Sequence, residues 1–270
     1  MGIGSQVVQI PGSTVLLTGA TGGIGTAIAR ALGARGAKLI ITGRRTEVLD
    51  PLAAELDARA LAVDLSDRAE LNRLIGEAGE VDILVANAAL PASGRLESFS
   101  VEEIDRALDV NLRAPIVLAH ALAPAMVERG TGHLLFTSSL AGKAAAPGAT
   151  IYNASKFGLR GFASALRAEL HDSGVGVSAV FPGFIRDAGM FADADVKLPP
   201  GVGTRSPEDV ARAVVSAIER NRGEVDIAPL PLRASTIFAG VAPELALRLA
   251  RRLGSEDISR RIGDGQRDKR

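Results

Sequence analysis

Tyr152 and Lys156 stand four residues apart in the run Tyr152-Asn153-Ala154-Ser155-Lys156. On a helix that spacing puts both side chains on one face, with the ammonium near the phenol. A phenol of pKa about 10 is a poor acid or base near neutral pH, and a neighbouring cation favours its phenolate. The pair could therefore exchange a proton with a substrate oxygen. Tyr152 is the single tyrosine of the chain. Ser138 and Ser139, in Ser138-Ser139-Leu140-Ala141-Gly142, lie just upstream and offer a hydroxyl to the same oxygen. Near the start of the chain, Thr18-Gly19-Ala20-Thr21-Gly22-Gly23-Ile24-Gly25 precedes a run of helical period. Glycines at a strand-to-helix turn let the backbone approach a phosphate, and the N–H groups opening the helix stabilise its charge.

Such groups act together only if the fold gathers them. Short β-branched or aliphatic runs fall at Thr14–Thr18, Lys38–Thr42, Ala60–Val63, Ile83–Ala86, His133–Thr137, Gly176–Phe181 and Glu224–Ile227. Between them lie helical patterns at about 23–35, 46–57, 67–78, 101–129, 152–172 and 207–221. This alternation predicts an α/β fold, a doubly wound parallel sheet of about seven strands with helices on both faces. The strands are mostly continuous apolar runs, as burial on both faces requires. Pro115 and Pro124 interrupt the pattern at 101–129 and predict two helices or a kink. One domain is expected from residue 10 to 232. Residues 233–270 form an extension, with a helix opened by Pro243 that carries Leu245, Leu249 and Leu253, and a charged tail that frays beyond Gly254. The Gly- and Pro-rich segment 184–205 carries apolar anchors and reads as a lid that closes over substrate.

The spacing Gly19-x3-Gly23-x-Gly25, followed by Asn111, Ser139 and Tyr152-x3-Lys156, resembles the short-chain dehydrogenase/reductase family in order, spacing and residue type over residues 14 to about 227. The resemblance implies a single Rossmann-type domain with a nicotinamide cofactor at the carboxyl ends of the strands. It implies reversible hydride transfer between the nicotinamide and a carbonyl/alcohol pair. Tyr152 would be the general acid/base and Ser139, favoured over Ser138 by the family's S-x-x-G pattern, a donor to the reacting oxygen. Lys156 would lower the Tyr152 pKa and hold the nicotinamide ribose, and Asn111 would complete a proton relay with Lys156. Cofactor contacts are assigned to Thr18, Gly19, Thr21, Gly23, Ile24, Gly25, Asp64, Leu65, Asn87, Tyr152, Lys156, Pro182, Gly183 and Ile185. The chain departs from the family's pattern at Ala86 and Ala89 around Asn87, and at Asp187, where a threonine is common. Gly43 stands where an acidic residue would take a ribose 2′-hydroxyl, and Arg44 can accommodate a 2′-phosphate. NADP(H) is therefore expected over NAD(H), with Arg45 a solvated neighbour.

Leu90, Pro91, Phe184, Met190, Phe191, Val196 and Leu198 suggest an apolar pocket wall, compatible with a hydrophobic ketone or a 3-oxoacyl-type substrate. The helix at 152–172 is apolar around Phe157, Gly161 and Ala165 as well as Leu159, Phe162 and Leu166, which predicts a homo-dimer or homo-tetramer. The 31 basic and 31 acidic side chains cancel, so neither nucleic acid nor a membrane is an expected partner. With no cysteine and three scattered histidines, no metal site is expected. The run Ala114 to Val127 falls short of the ~18 apolar residues of a membrane span, and the start lacks secretory features. A cytoplasmic address follows. An alternative, a non-catalytic dinucleotide sensor or scaffold, shares the same fold.

Overall fold

Seven strands form one all-parallel sheet: β1 (Thr14–Leu17), β2 (Lys38–Gly43), β3 (Arg59–Ala62), β4 (Ile83–Ala86), β5 (Gly132–Thr137), β6 (Val175–Pro182) and β7 (Glu224–Ile227), in the order β3-β2-β1-β4-β5-β6-β7. The computed structural model describes residues 8–193, 202–252, 260–263 and 265. Successive strand residues point to opposite faces, and the core divides accordingly. Leu16, Leu84, Leu134 and Phe136 enter one apolar layer, whereas Val15, Leu17, Ile83, Val85 and Leu135 enter the other. The first layer is covered by α3 (Arg68–Ala78), α5 (Ala114–Arg129) and α6 (Thr150–Glu169). The second is covered by α1 (Gly23–Gly33), α2 (Thr46–Leu56) and α8 (Pro207–Glu219). Each fully buried aliphatic side chain contributes about 1.5–3 kcal/mol, so these double-sided strands form a rigid frame for the loops at their carboxyl ends.

The run 101–129 is two helices, and the break between them stays helical. It comes at a π turn, Asp109–Arg113, between α4 (Val101–Leu108) and α5. Pro115 follows the π turn by two residues in an unbroken helical run, where its missing N–H removes a helical hydrogen bond, and Pro124 is carried within the helix. The whole run is long and apolar enough to cross a membrane by length and composition. Here Leu118, Ala119, Leu122 and Met126 pack into the core.

Two C-terminal features differ from expectation. A helix that the periodicity did not indicate, α9 (Leu230–Val241), precedes α10 (Pro243–Arg252), so the expected boundary after residue 232 falls within α9. Residues 260–263 are helical rather than frayed and pack on the loop after β4: a Cβ on Gly263 would lie 2.6 Å from the Ser93 carbonyl. The ends of the expected lid are joined by a parallel bridge, with Arg186 N–H donating to the Arg205 carbonyl at 2.9 Å and Arg205 N–H to that of Phe184 at 3.0 Å. Its first half contains α7 (Gly189–Asp193). Val196, Leu198 and Leu253 lie outside the described residues.

Candidate active site

The glycine turn after β1 is built for close approach. Gly19 adopts φ +70°, and a Cβ there would lie 2.7 Å from Ala88 Cα; one on Gly25 would lie 2.0 Å from the Gly19 carbonyl oxygen. Asn87 holds the turn from β4, its Nδ2 donating to the Thr18 and Gly19 carbonyls at 3.2 and 3.3 Å. Thr18 Oγ1 accepts from the N–H groups of Asn87 and Ala88. No side chain caps the start of α1, so the positive end of its dipole is open to an anion. The backbone cradle and the uncapped helix fit the pyrophosphate of a dinucleotide. Ala188, at the start of the lid, rests over this turn, its Cβ 2.5 Å from where a Gly23 Cβ would stand.

Beyond the ends of β2 and β3, Arg44 Nη1 lies 3.7 Å from Asp64 Oδ2 and is half exposed. Arg106 of α4 reaches the same oxygen at 3.2 Å. Burial tends to raise the Asp64 pKa, but hydrogen bonds from the Ser66 hydroxyl and N–H, with Arg44 and Arg106 alongside, more than offset this and hold the carboxyl below its usual range. Arg45 is not simply solvated: its guanidinium donates to the Thr21 carbonyl and steadies the glycine turn. Leu65 and Ile185 bury their side chains in the core.

Tyr152, Lys156 and Ser139 meet where β5 and β6 end. Tyr152 and Lys156 occupy the first two turns of α6, and the ammonium lies 5.7 Å from the phenol ring centroid. Lys156 is 1% exposed and donates to the Thr137 carbonyl, the last of β5, at 3.0 Å. Burial depresses its pKa to about 8. The Tyr152 phenol is pushed up by burial, while a hydrogen bond with Ser139 pulls it down. This corrects the expected direction: desolvation of the phenolate, rather than the nearby ammonium, dominates the site. The structure also separates the two serines. Ser138 Oγ is buried and donates to the Lys156 carbonyl at 3.0 Å, whereas Ser139 Oγ faces Tyr152 and accepts from Ala141 N–H at 3.1 Å. Pro182 and Gly183 follow on the adjacent strand, with the Pro182 carbonyl 3.4 Å from Ser139 Oγ.

Asn111 lies in the π turn, fully buried, and its amide is committed to the backbone of Leu90: Oδ1 accepts from the N–H at 2.6 Å and Nδ2 donates to the carbonyl at 2.9 Å. Its side chain thus fixes the loop after β4. π turns often mark functional sites because they widen a helix at one position. Phe184 and Phe191 meet with centroids 5.1 Å apart, on the lid side. Asp187 sits at φ +66°, its carboxylate 3.3 Å from Arg186. The sequence reading singled out neither Arg106 nor Asn153. Arg106 carries no local signal, whereas Asn153, a polar residue directly after the tyrosine, does.

Residues 13–197 match the short chain dehydrogenase family. The ketoacyl reductase HetN of Nostoc sp. is 34% identical over 274 residues, covering 96% of each chain. A short-chain dehydrogenase from Sphingobium yanoikuyae, solved in complex with NADPH, superposes with a TM-score of 0.75 at 30% identity over 87% of this chain and 95% of that one. A 3-ketoacyl-(acyl-carrier-protein) reductase from Brucella melitensis, complexed with NADH, gives a TM-score of 0.72 at 27% identity over 80% and 97%. With the glycine turn, the uncapped helix and the Ser139–Tyr152–Lys156 group gathered at the carboxyl ends of the inner strands, the chain belongs to the short-chain dehydrogenase/reductase family of nicotinamide-dependent oxidoreductases.

Proposed function

We propose that the protein reduces a hydrophobic ketone or 3-oxoacyl-type carbonyl, and reversibly oxidises the alcohol, with preference for NADP(H). The observation that carries this reading is the hydrogen-bonded Tyr152–Ser139 pair above a buried lysine. Tyr152 is the general acid in reduction: its raised pKa keeps the phenol protonated near neutral pH, ready to give its proton to the developing alkoxide. Ser139 accepts from Ala141 N–H, and its hydroxyl proton, directed at the Pro182 carbonyl across a long 3.4 Å contact, can turn to the same oxygen. Lys156, held by the Thr137 carbonyl, lies where its ammonium offsets the phenolate left after transfer and can hold the nicotinamide ribose. The cofactor, when bound, supplies or accepts the hydride.

The glycine turn with Thr18, Thr21 and Ile24 would hold the pyrophosphate, Asp64 and Arg44 the adenosine end, and Asn87, Pro182, Gly183 and Ile185 the nicotinamide half. The Phe184–Phe191 pair supports an apolar substrate, whereas Leu90 and Pro91 are buried and Leu90 packs into the core, and the similarity to ketoacyl reductases favours a 3-oxoacyl group among the candidates. Phe157, Gly161 and Ala165 form an exposed stripe on α6, which supports a homo-oligomer. The enzyme would act in the cytoplasm. Tyr152→Phe tests the assignment: kcat should fall ~10²–10⁴-fold with cofactor affinity retained. Near-normal turnover in that variant would sink it and leave the sensor reading in its place.

A further inference from the structure

The turn that carries Ser139 is tied to the helix that carries Tyr152 by one buried side chain. Asn153 follows Tyr152 directly and is 7% exposed. Its amide spans the turn: Nδ2 donates to the carbonyls of Ala141 at 2.6 Å and Ala144 at 3.2 Å, and Oδ1 accepts from Ala146 N–H at 3.2 Å. Ala141 is also the residue whose N–H donates to Ser139 Oγ. A continuous chain of contacts thus leads from the backbone beside Tyr152, through Asn153 and Ala141, to the Ser139 hydroxyl. Each polar atom of the Asn153 amide is used, and a satisfied buried amide holds its partners in one arrangement.

The same turn is anchored on its other side. Lys143 Nζ pairs with Asp226 Oδ1 at 2.6 Å and Glu224 Oε2 at 2.8 Å on β7, lies 4.0 Å from the Phe181 ring centroid, and has a side chain only 12% exposed. Arg160 of α6 shares Glu224 at 2.7 Å. The segment therefore cannot drift from α6 or from the sheet without breaking buried polar contacts.

We infer that Asn153 is a positioning residue for the reaction: it sets the spacing between the Ser139 and Tyr152 hydroxyls by fixing the turn of one to the helix of the other, with Lys143 as a second anchor. The inference rests on the assignment of Ser139 and Tyr152 made above. Asn153 touches neither substrate nor cofactor in this role and acts through Ser139. Misplacing a reacting group by about 1 Å can cost ~10²-fold in rate, so loss of the tie should show in kcat.

The experiment is a double-mutant cycle of Asn153→Ala and Ser139→Ala on the full-length protein, with Tyr152→Phe as reference. It reads kcat for carbonyl reduction and cofactor affinity by titration of NADPH fluorescence. Asn153→Ala alone should lower kcat ~10–100-fold while cofactor affinity stays within about 2-fold. In the Ser139→Ala background the same change should cost less than about 3-fold, because the group it positions is gone. The pH limb belonging to the Tyr152 phenol should also move upward in Asn153→Ala, since the Ser139 bond that pulls it down is loosened. Losses that multiply in the double variant would overturn the inference, as would an Asn153→Ala kcat within about 2-fold of wild type while Tyr152→Phe is inactive. An active Tyr152→Phe would instead refute the underlying assignment. Should Asn153→Ala fail to fold by circular dichroism, Lys143→Met and Lys143→Arg decide: a fall in kcat restored by arginine supports the anchored turn, and unchanged kcat in Lys143→Met overturns it.

Discussion

Removing the Arg44 guanidinium isolates the charge that would read a 2′-phosphate. Arg44 stands at the end of β2 with its side chain 46% exposed and its Nη1 3.7 Å from Asp64 Oδ2. Arg106 holds that oxygen at 3.2 Å, so Asp64 has a nearer partner and Arg44 is able to turn to an incoming phosphate. A charge-assisted hydrogen bond contributes roughly 1.5–3 kcal/mol. Solvent screening at a half-exposed site places the loss near the bottom of that range, about tenfold in affinity. Arg44→Ala should therefore weaken NADPH about tenfold and change NADH by less than about 2-fold. Introducing an acid at Gly43 is a poorer test, because a Cβ there would lie 2.5 Å from Thr21 Cγ2, so charge repulsion would be mixed with distortion of the glycine turn. The assay is direct titration of both cofactors with kcat/KM for each against one carbonyl substrate. Equal losses for both cofactors, or a wild type that uses NADH as well as NADPH, would refute the reasoning.

The Lys156 pKa of about 8 sets a pH dependence: the ammonium is present below that value and is lost above it, so kcat for reduction should be flat below about pH 7 and decline above about pH 8. A profile level to pH 10 at saturating cofactor would exclude a required ammonium. On α6, Phe157 is 41% exposed and a Cβ at Gly161 would meet nothing within 4 Å, so light scattering at micromolar concentration should show a dimer or tetramer that Phe157→Asp drives toward smaller species. A wild-type monomer would contradict this use of the α6 face.

What was legible in the sequence was local. The seven strands lie within a residue or two of the runs that foretold them, because burial on both faces leaves a continuous apolar signature in the inner strands. The Tyr152–Lys156 helix spacing and the glycine turn are likewise short-range patterns, and with Ser139 they were enough to point to the family. Tertiary structure alone decided the rest. Arg106 meets Asp64 across 42 positions and Asn111 meets Leu90 across 21, contacts that no periodicity reports. The break in the 101–129 run is a π turn just ahead of Pro115, where the chain widens around a buried asparagine bonded to a neighbouring loop. The direction of the Tyr152 shift followed the same logic: the residue types placed a cation beside a phenol, but how much water each group loses depends on what the whole fold packs around them.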